Sequence, residues 1–297
     1  MKIRIVIICG LILLAFSVRA QKKVSNIFYA QNTLDAFKNA PKTSQEKAKL
    51  LKSIGYDGLE GFGGRDLLEL KHALVQEGLQ MPVIYVGLNF EENGKPQHPT
   101  LDEIKAIIEA SSKGTVVYFH LHSKTFINNK EKGDQVVTSI LRELSDYAAA
   151  FDIKLCAYPH VDFYCETTAH SFKLAELVDR KNYGAAMNLC HMLKVEGSTG
   201  IEGKIKKYAP RLFAVNICGA DDGDTQNMDW DRLIQPLGQG SFDTYGFVKT
   251  LINNGYRGPI GLQCYNLKGD AIEVLTHSFH SWKGYKKRFS KEKKFTQ

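Results

Sequence analysis

The sequence predicts a single (β/α)8 barrel. Eight apolar, β-branched or aromatic runs recur along the chain, with starts about 33 residues apart between positions 27 and 260. Charged segments of helical period separate them, so each run opens a strand–helix unit of ordinary length. No Gly-rich phosphate turn follows the first run, and eight such units without a linker favour a closed barrel over an open doubly wound sheet.

In chain order, residues 1–20 read as a cleavable signal peptide: Lys2 and Arg4 precede the apolar run Ile5 to Phe16, which ends in Val18-Arg19-Ala20. The run falls short of the ~20 apolar residues of a membrane span, so no stable membrane insertion is expected. The expected product is secreted, periplasmic if the source is Gram-negative, with a retained N-terminal anchor as the lesser alternative. Residues 21–297 then form one barrel domain with a basic C-terminal tail, a usual length for this architecture.

The predicted strands are Ile27–Ala30, Gly58–Gly61, Pro82–Val86, Thr115–Leu121, Lys154–Tyr158, Ala185–Leu189, Leu212–Ile217 and Ile260–Cys264. Between them, helices are expected over 43–54 with Ser44 as a possible cap, over 65–76 with leucines at helical spacing, and over 101–111 behind a Thr100–Glu103 capping box. The longest is expected over about 132–151. The polar stretch Asn89–Pro99 reads either as a lid over a site or as a solvated connection.

The formal charge is +7. Setting aside three signal-region positives and a tail with seven basic residues and one acid leaves residues 21–282 near −2. A nucleic-acid surface needs a basic face, so no nucleic-acid partner is expected. Five cysteines remain after the signal, at 156, 165, 190, 218 and 264, without CxxC spacing. They are expected to be buried small hydrophobes, not a disulfide framework or a zinc cluster.

In a barrel of this type only the C-terminal mouth is open to a ligand, so polar groups at strand exits are the candidates for chemistry. These are Gln31, Glu60, Asn89, His120 and His122, Tyr158 and His160, Asn188 and His191, Asn216 and Asp221, and Gln263 and Tyr265. So many imidazole, amide and phenol groups suit a polyhydroxylated small molecule, whose hydroxyls need paired donors and acceptors. A small-molecule carbohydrate is therefore the expected partner.

The segments IGYDGLEGF at the second strand, YPH at the fifth, NLCH at the sixth, PLGQGSFD after the seventh and GYRGPIGLQCY at the eighth carry a family resemblance. In order and spacing the chain resembles the xylose isomerase-like TIM barrel superfamily of sugar isomerases and epimerases. The resemblance implies a sugar bound at the barrel mouth, usually around one divalent metal held by Glu, Asp, His and Glu. Aligned on their motifs, those ligand positions fall on Tyr158, Asn188, Asn216 and Gln263. No carboxylate remains among them, so no metal or other cofactor is expected, a divalent ion being possible but disfavoured. The two glutamates of the family's proton-transfer pair are absent as well.

Catalysis is expected to fall on His160, His191 and His122, which can exchange protons near neutral pH, and on Glu60 as base or sugar anchor. Tyr158, Asn188, Lys194, Asn216, Asp221, Trp230 and Gln263 are expected to bind substrate. The expected reaction is proton abstraction next to a carbonyl of a non-phosphorylated carbohydrate, leading to isomerisation, epimerisation or elimination from a 3-keto-glycoside. Two other readings stay open: a carbohydrate-binding barrel without catalysis, and a metal-dependent isomerase with substituted ligands.

Overall fold

The computed structural model describes residues 24–64 and 66–292, and the expected signal peptide lies outside them. Among the described residues, nine strands form one sheet: β1 (Phe28–Ala30), β2 (Gly58–Leu59), β3 (Gly61–Phe62), β4 (Val83–Asn89), β5 (Val116–His122), β6 (Lys154–Ala157), β7 (Tyr183–Asn188), β8 (Leu212–Ile217) and β9 (Ile260–Leu262). Ten α-helices of the described residues intervene or follow: α1 (Ser44–Ile54), α2 (Leu67–Gln76), α3 (Leu101–Ala110), α4 (Lys130–Ala149), α5 (Thr168–Val178), α6 (Leu189–Glu196), α7 (Ile201–Tyr208), α8 (Trp230–Leu233), α9 (Thr244–Asn253) and α10 (Ala271–Glu292).

All named strand pairs are parallel, in the order β2-β1-β9-β8-β7-β6-β5-β4-β3. The two ends of that order are halves of one barrel strand, interrupted at Glu60. β2 pairs with β1 on one side, Ala30 opposite Leu59, and β3 pairs with β4 on the other, Gly61 opposite Ile84. Backbone bonds from Glu60 N to the Ala30 carbonyl (2.9 Å) and from Leu59 N to the Gln80 carbonyl (3.1 Å) join both sides across the break. The fold is thus a single (β/α)8 barrel, as the eight predicted runs require.

Glycines make the break sterically possible. A Cβ on Gly58 would lie 2.2 Å from the Gln80 carbonyl oxygen, and one on Gly61 would lie 2.5 Å from the Met81 sulfur. Only glycine admits such close approach.

Alternation along the strands builds two cores. The barrel interior holds Tyr29, Val83, Val116, Tyr118, Cys156, Tyr158, Ala186 and Ala214, with Tyr85 and Phe213 against them. The opposite strand faces, such as Val117, Phe119 and Leu121 of β5, pack under the helices and are fully buried. Each such side chain contributes roughly 1.5–3 kcal/mol relative to exposure.

The helix boundaries differ in detail from expectation. The first helix is capped by Thr43, whose side chain accepts from Glu46 N in a capping box, so Ser44 is its first helical residue and not its cap. The Thr100–Glu103 box is present. Strand β7 stops at Asn188 because the Asn188 side chain accepts from Cys190 N (3.1 Å) and starts α6 at once, where the sequence pattern had extended the strand to Leu189. The five cysteines of the described residues, Cys156, Cys165, Cys190, Cys218 and Cys264, are free and buried. At the C-terminal end, α10 seats Trp282 on Phe28 with ring centroids 4.6 Å apart, so the basic stretch follows a firmly anchored turn. No helix among the described residues is long and apolar enough to cross a membrane.

Candidate active site

A cavity of about 650 Å³ opens at the C-terminal ends of the strands. Its wall includes Glu60, Tyr85, Tyr158, His160, His191, Trp230 and Gln263. Seven strand-exit candidates, Gln31, Glu60, Tyr158, His160, His191, Gln263 and Tyr265, thus share one space with Trp230. The break carrying Glu60 and the β7 exit carrying His191 are four strands apart in either direction round the barrel. Carboxyl and imidazole therefore belong to opposite sides of the mouth.

Glu60 is 2% exposed, and burial pushes its carboxyl up to about 8, against a smaller downward pull from the Asn32 backbone N–H, which donates to Oε2 at 3.3 Å. The Tyr118 hydroxyl donates to Oε1. Burial raises the phenols of Tyr29, Tyr85 and Tyr158 far above their ordinary range, so all three stay protonated.

His160 and His191 are in contact, their ring centroids 3.9 Å apart and their planes tilted by 41°. His160 has its Nδ1 2.7 Å from the Val161 carbonyl, which can only accept, so Nδ1 carries the proton and Nε2 is left as an acceptor. His191 is buried, and its Nδ1 has no hydrogen-bond partner. Burial lowers both imidazoles, and His160 lowers His191 further, so both are neutral near pH 7. Trp230 stands edge-on to His191 at 5.5 Å.

The remaining predicted residues sit elsewhere. His122 shares a 2.7 Å contact with Nδ1 of His120 and lines a neighbouring cavity, separated from His160 by the ring of Phe163. Among the described residues, no group of three His, Cys, Asp or Glu is placed to hold a metal ion, so His122, His160 and His191 do not form a three-histidine site. Lys194 donates to the Met228 carbonyl (2.8 Å) and braces the segment leading to Trp230. Asp221 is paired with Arg232 (2.9 Å) and accepts from Ser241 N, which ties the loop after β8 together. Neither Lys194 nor Asp221 lines the cavity.

Several site residues were not singled out by sequence reasoning. Tyr118 and Tyr85 lay inside apolar strand runs, and Phe163 lay in a loop. Tyr118 carried a usable signal, since it stands two residues before His120 and four before His122 and must share their strand face.

The family model described as xylose isomerase-like TIM barrel matches residues 48–282. The chain belongs to this family. Among curated proteins it is similar to a 3-dehydroshikimate dehydratase of Pseudomonas aeruginosa, 26% identical over 129 residues, covering 42% of this chain and 20% of that protein. A 3-dehydroshikimate dehydratase of Pseudomonas putida is 24% identical over 139 residues, covering 45% and 21%. The chain thus spans about a fifth of the curated relatives it matches. Similar solved structures include 3-keto-D-glucoside 4-epimerase from E. coli (TM-score 0.66, 20% identity, 86% and 98% of the two chains). L-ribulose 3-epimerase follows the same fold (TM-score 0.68, 13% identity, 91% and 97%), as does an IolI protein with a bound zinc atom (TM-score 0.68, 17% identity, 88% and 98%).

In this xylose isomerase-like barrel, the four positions that the motif resemblance sets against metal ligands are engaged with neighbouring side chains. The Asn188 amide donates to the Tyr158 hydroxyl, Tyr29 donates to Asn216 Oδ1 (2.9 Å), and Gln263 Nε2 donates to Cys190 Sγ (3.4 Å). Asn188 and Asn216 are fully buried below the cavity and do not line it. Neutral amides and a phenol satisfied in this way do not fit a hard divalent cation, which favours charged oxygen donors.

Proposed function

We propose that this protein is a sugar isomerase/epimerase-type enzyme that removes a proton next to the carbonyl of a non-phosphorylated keto-sugar, without a resident metal, in the exported compartment the sequence predicts. The observation that carries the reading is Glu60: a buried carboxyl poised at about 8, on the wall of a sugar-sized cavity, opposite two neutral histidines. A base is most effective when its pKa lies near the working pH, and the two lowered imidazoles are weaker bases than this carboxylate.

In the reaction, ionised Glu60 takes the proton from the carbon beside the carbonyl. The C–H electron pair forms the enolate, whose oxygen needs a donor. Neutral His191 and the protonated Tyr85 phenol are the cavity groups suited to that role. His160 Nε2 accepts from a sugar hydroxyl, and Trp230 offers an aromatic surface to the ring. Epimerisation takes its new proton from water on the opposite face, while Glu60 releases the one it removed to solvent. Departure of a group on the next carbon gives elimination, with the leaving oxygen taking up a proton.

The relatives support this class from two sides. One curated relative is named a dehydratase and one structural neighbour a 3-keto-glucoside epimerase. Both names describe chemistry at a carbon near a ketone. The test is to incubate the protein with free ketoses and 3-keto-glycosides in deuterated water. Deuterium incorporation or release of the aglycone is expected, and the absence of both with every substrate contradicts the enzyme reading.

A further inference from the structure

A second cavity, of about 690 Å³, adjoins the first. The two share Asp162 and Phe163 of the loop after β6. Phe163 is the partition: its ring stacks on His160 at 3.9 Å and lies 4.0 Å from His122. Ligand pockets run from roughly 300 to 1,000 Å³, so either space alone is large enough for one small molecule. A single sugar ring accounts for only one of them.

The second wall is built. Glu91 accepts from the backbone N–H groups of Lys124 (2.9 Å) and Thr125 (3.1 Å) and from the Ser123 hydroxyl (3.3 Å), which fastens the β4 and β5 exits to each other. The His120 contact fixes the His122 ring and leaves His122 Nδ1 for a ligand. The Asn89 amide donates to the His98 carbonyl (2.6 Å), so its oxygen remains an acceptor. Lys124 on this wall is outweighed by Glu91 and Asp162, so the lining does not attract an anion. Amide, imidazole and aromatic groups without a dominant charge match a neutral polyhydroxylated ligand.

We infer that the second cavity is a subsite for the second sugar unit of a disaccharide-type substrate whose reacting ring occupies the main cavity, with Phe163 as the wall between the two units. The inference rests on the reading of the main cavity as a sugar pocket. It makes the substrate a glycosidically linked pair, not a free monosaccharide.

The test is binding, so its outcome is separate from that of the proposed reaction. In a Glu60→Gln background, where turnover is silenced, calorimetric titration compares methyl 3-keto-glucoside, phenyl 3-keto-glucoside, 3-keto-cellobiose and 3-keto-maltose. At least one disaccharide is expected to bind about tenfold or more tightly than the methyl and phenyl glycosides. Ile127 lines only the second cavity and is half-buried. Ile127→Trp, which fills that space, is expected to abolish the advantage with methyl glycoside binding unchanged, and Ile127→Ala, which enlarges it, to retain the advantage at similar thermal stability. No disaccharide advantage, an advantage that survives Ile127→Trp, or an equal gain for the phenyl glycoside overturns the inference. Failure of every ligand to bind overturns it too, and that outcome alone also removes the sugar reading of the main cavity.

Discussion

The Tyr118 hydroxyl on β5 donates a hydrogen bond to the buried carboxyl of Glu60 at the break between β2 and β3. The same hydroxyl lies 3.5 Å from the Asn216 amide, which in turn accepts from Tyr29. The candidate base is thus held by a network that crosses the barrel interior. A donor of this kind favours the charged carboxylate.

Replacing Tyr118 by Phe removes that donor and leaves the ionised form less favoured. The apparent pKa of Glu60 should rise by about one to two units, since a hydrogen bond to a charged group contributes about 1.5–3 kcal/mol. A pH–rate profile of kcat/KM checks this: the wild-type rate climbs with pH towards a plateau above about 8, and in Y118F the midpoint moves upward. An unmoved midpoint contradicts the role given to Tyr118.

Glu60 also links stability to pH. Its carboxyl is pushed from 4.5 to about 8 in the folded protein, so between those values the folded form keeps a proton that the unfolded chain has released. The contribution is therefore fully present below pH 4.5 and is lost as pH rises through 8, an effect on the order of a few kcal/mol. Glu60→Gln should abolish this dependence. Denaturant melts are expected to show the variant more stable than wild type at pH 9, with the difference narrowing below pH 5.

The two histidines should change the height of the profile and not its midpoint, because burial keeps them neutral throughout the range in which Glu60 titrates. His191→Ala is expected to lower kcat about 10–100-fold by removing an enolate donor. For His160→Ala the expected change is mainly a higher KM, through a lost sugar contact. Steady-state kinetics at pH 7 and 9 separate the two effects.

Much of the fold was legible because strand and helix periodicities survive in a single sequence. What escaped was the interruption of the second strand: Gly58 and Gly61 were visible, but the carbonyl and sulfur that crowd them come from the third unit. At the site, exits rich in His and amides identified the mouth, and Glu60, His160 and His191 do share one cavity. Lys194 and Asp221 were indistinguishable by position from cavity residues, yet their charges are spent on Met228 and Arg232. Phe163 carried no signal, because a loop aromatic gains its role only from the rings packed on either side.

Removal of divalent ions tests the reading of the altered ligand positions. Dialysis against a strong chelator should leave the exchange rate within about twofold, since Tyr158, Asn188, Asn216 and Gln263 offer no carboxylate and are hydrogen-bonded to other side chains. Stoichiometric metal in the purified protein, with activity lost on its removal and regained on its return, contradicts that reading.

The most direct measurement is the rate of solvent deuterium entry beside the carbonyl of a bound keto-sugar, followed from pH 6 to 10 for wild type and Glu60→Gln. If Glu60 is the base, wild-type exchange rises with a midpoint near 8 and the variant falls by about 100-fold or more at every pH. Exchange that persists in the variant at the wild-type rate, with the same pH dependence, contradicts the account.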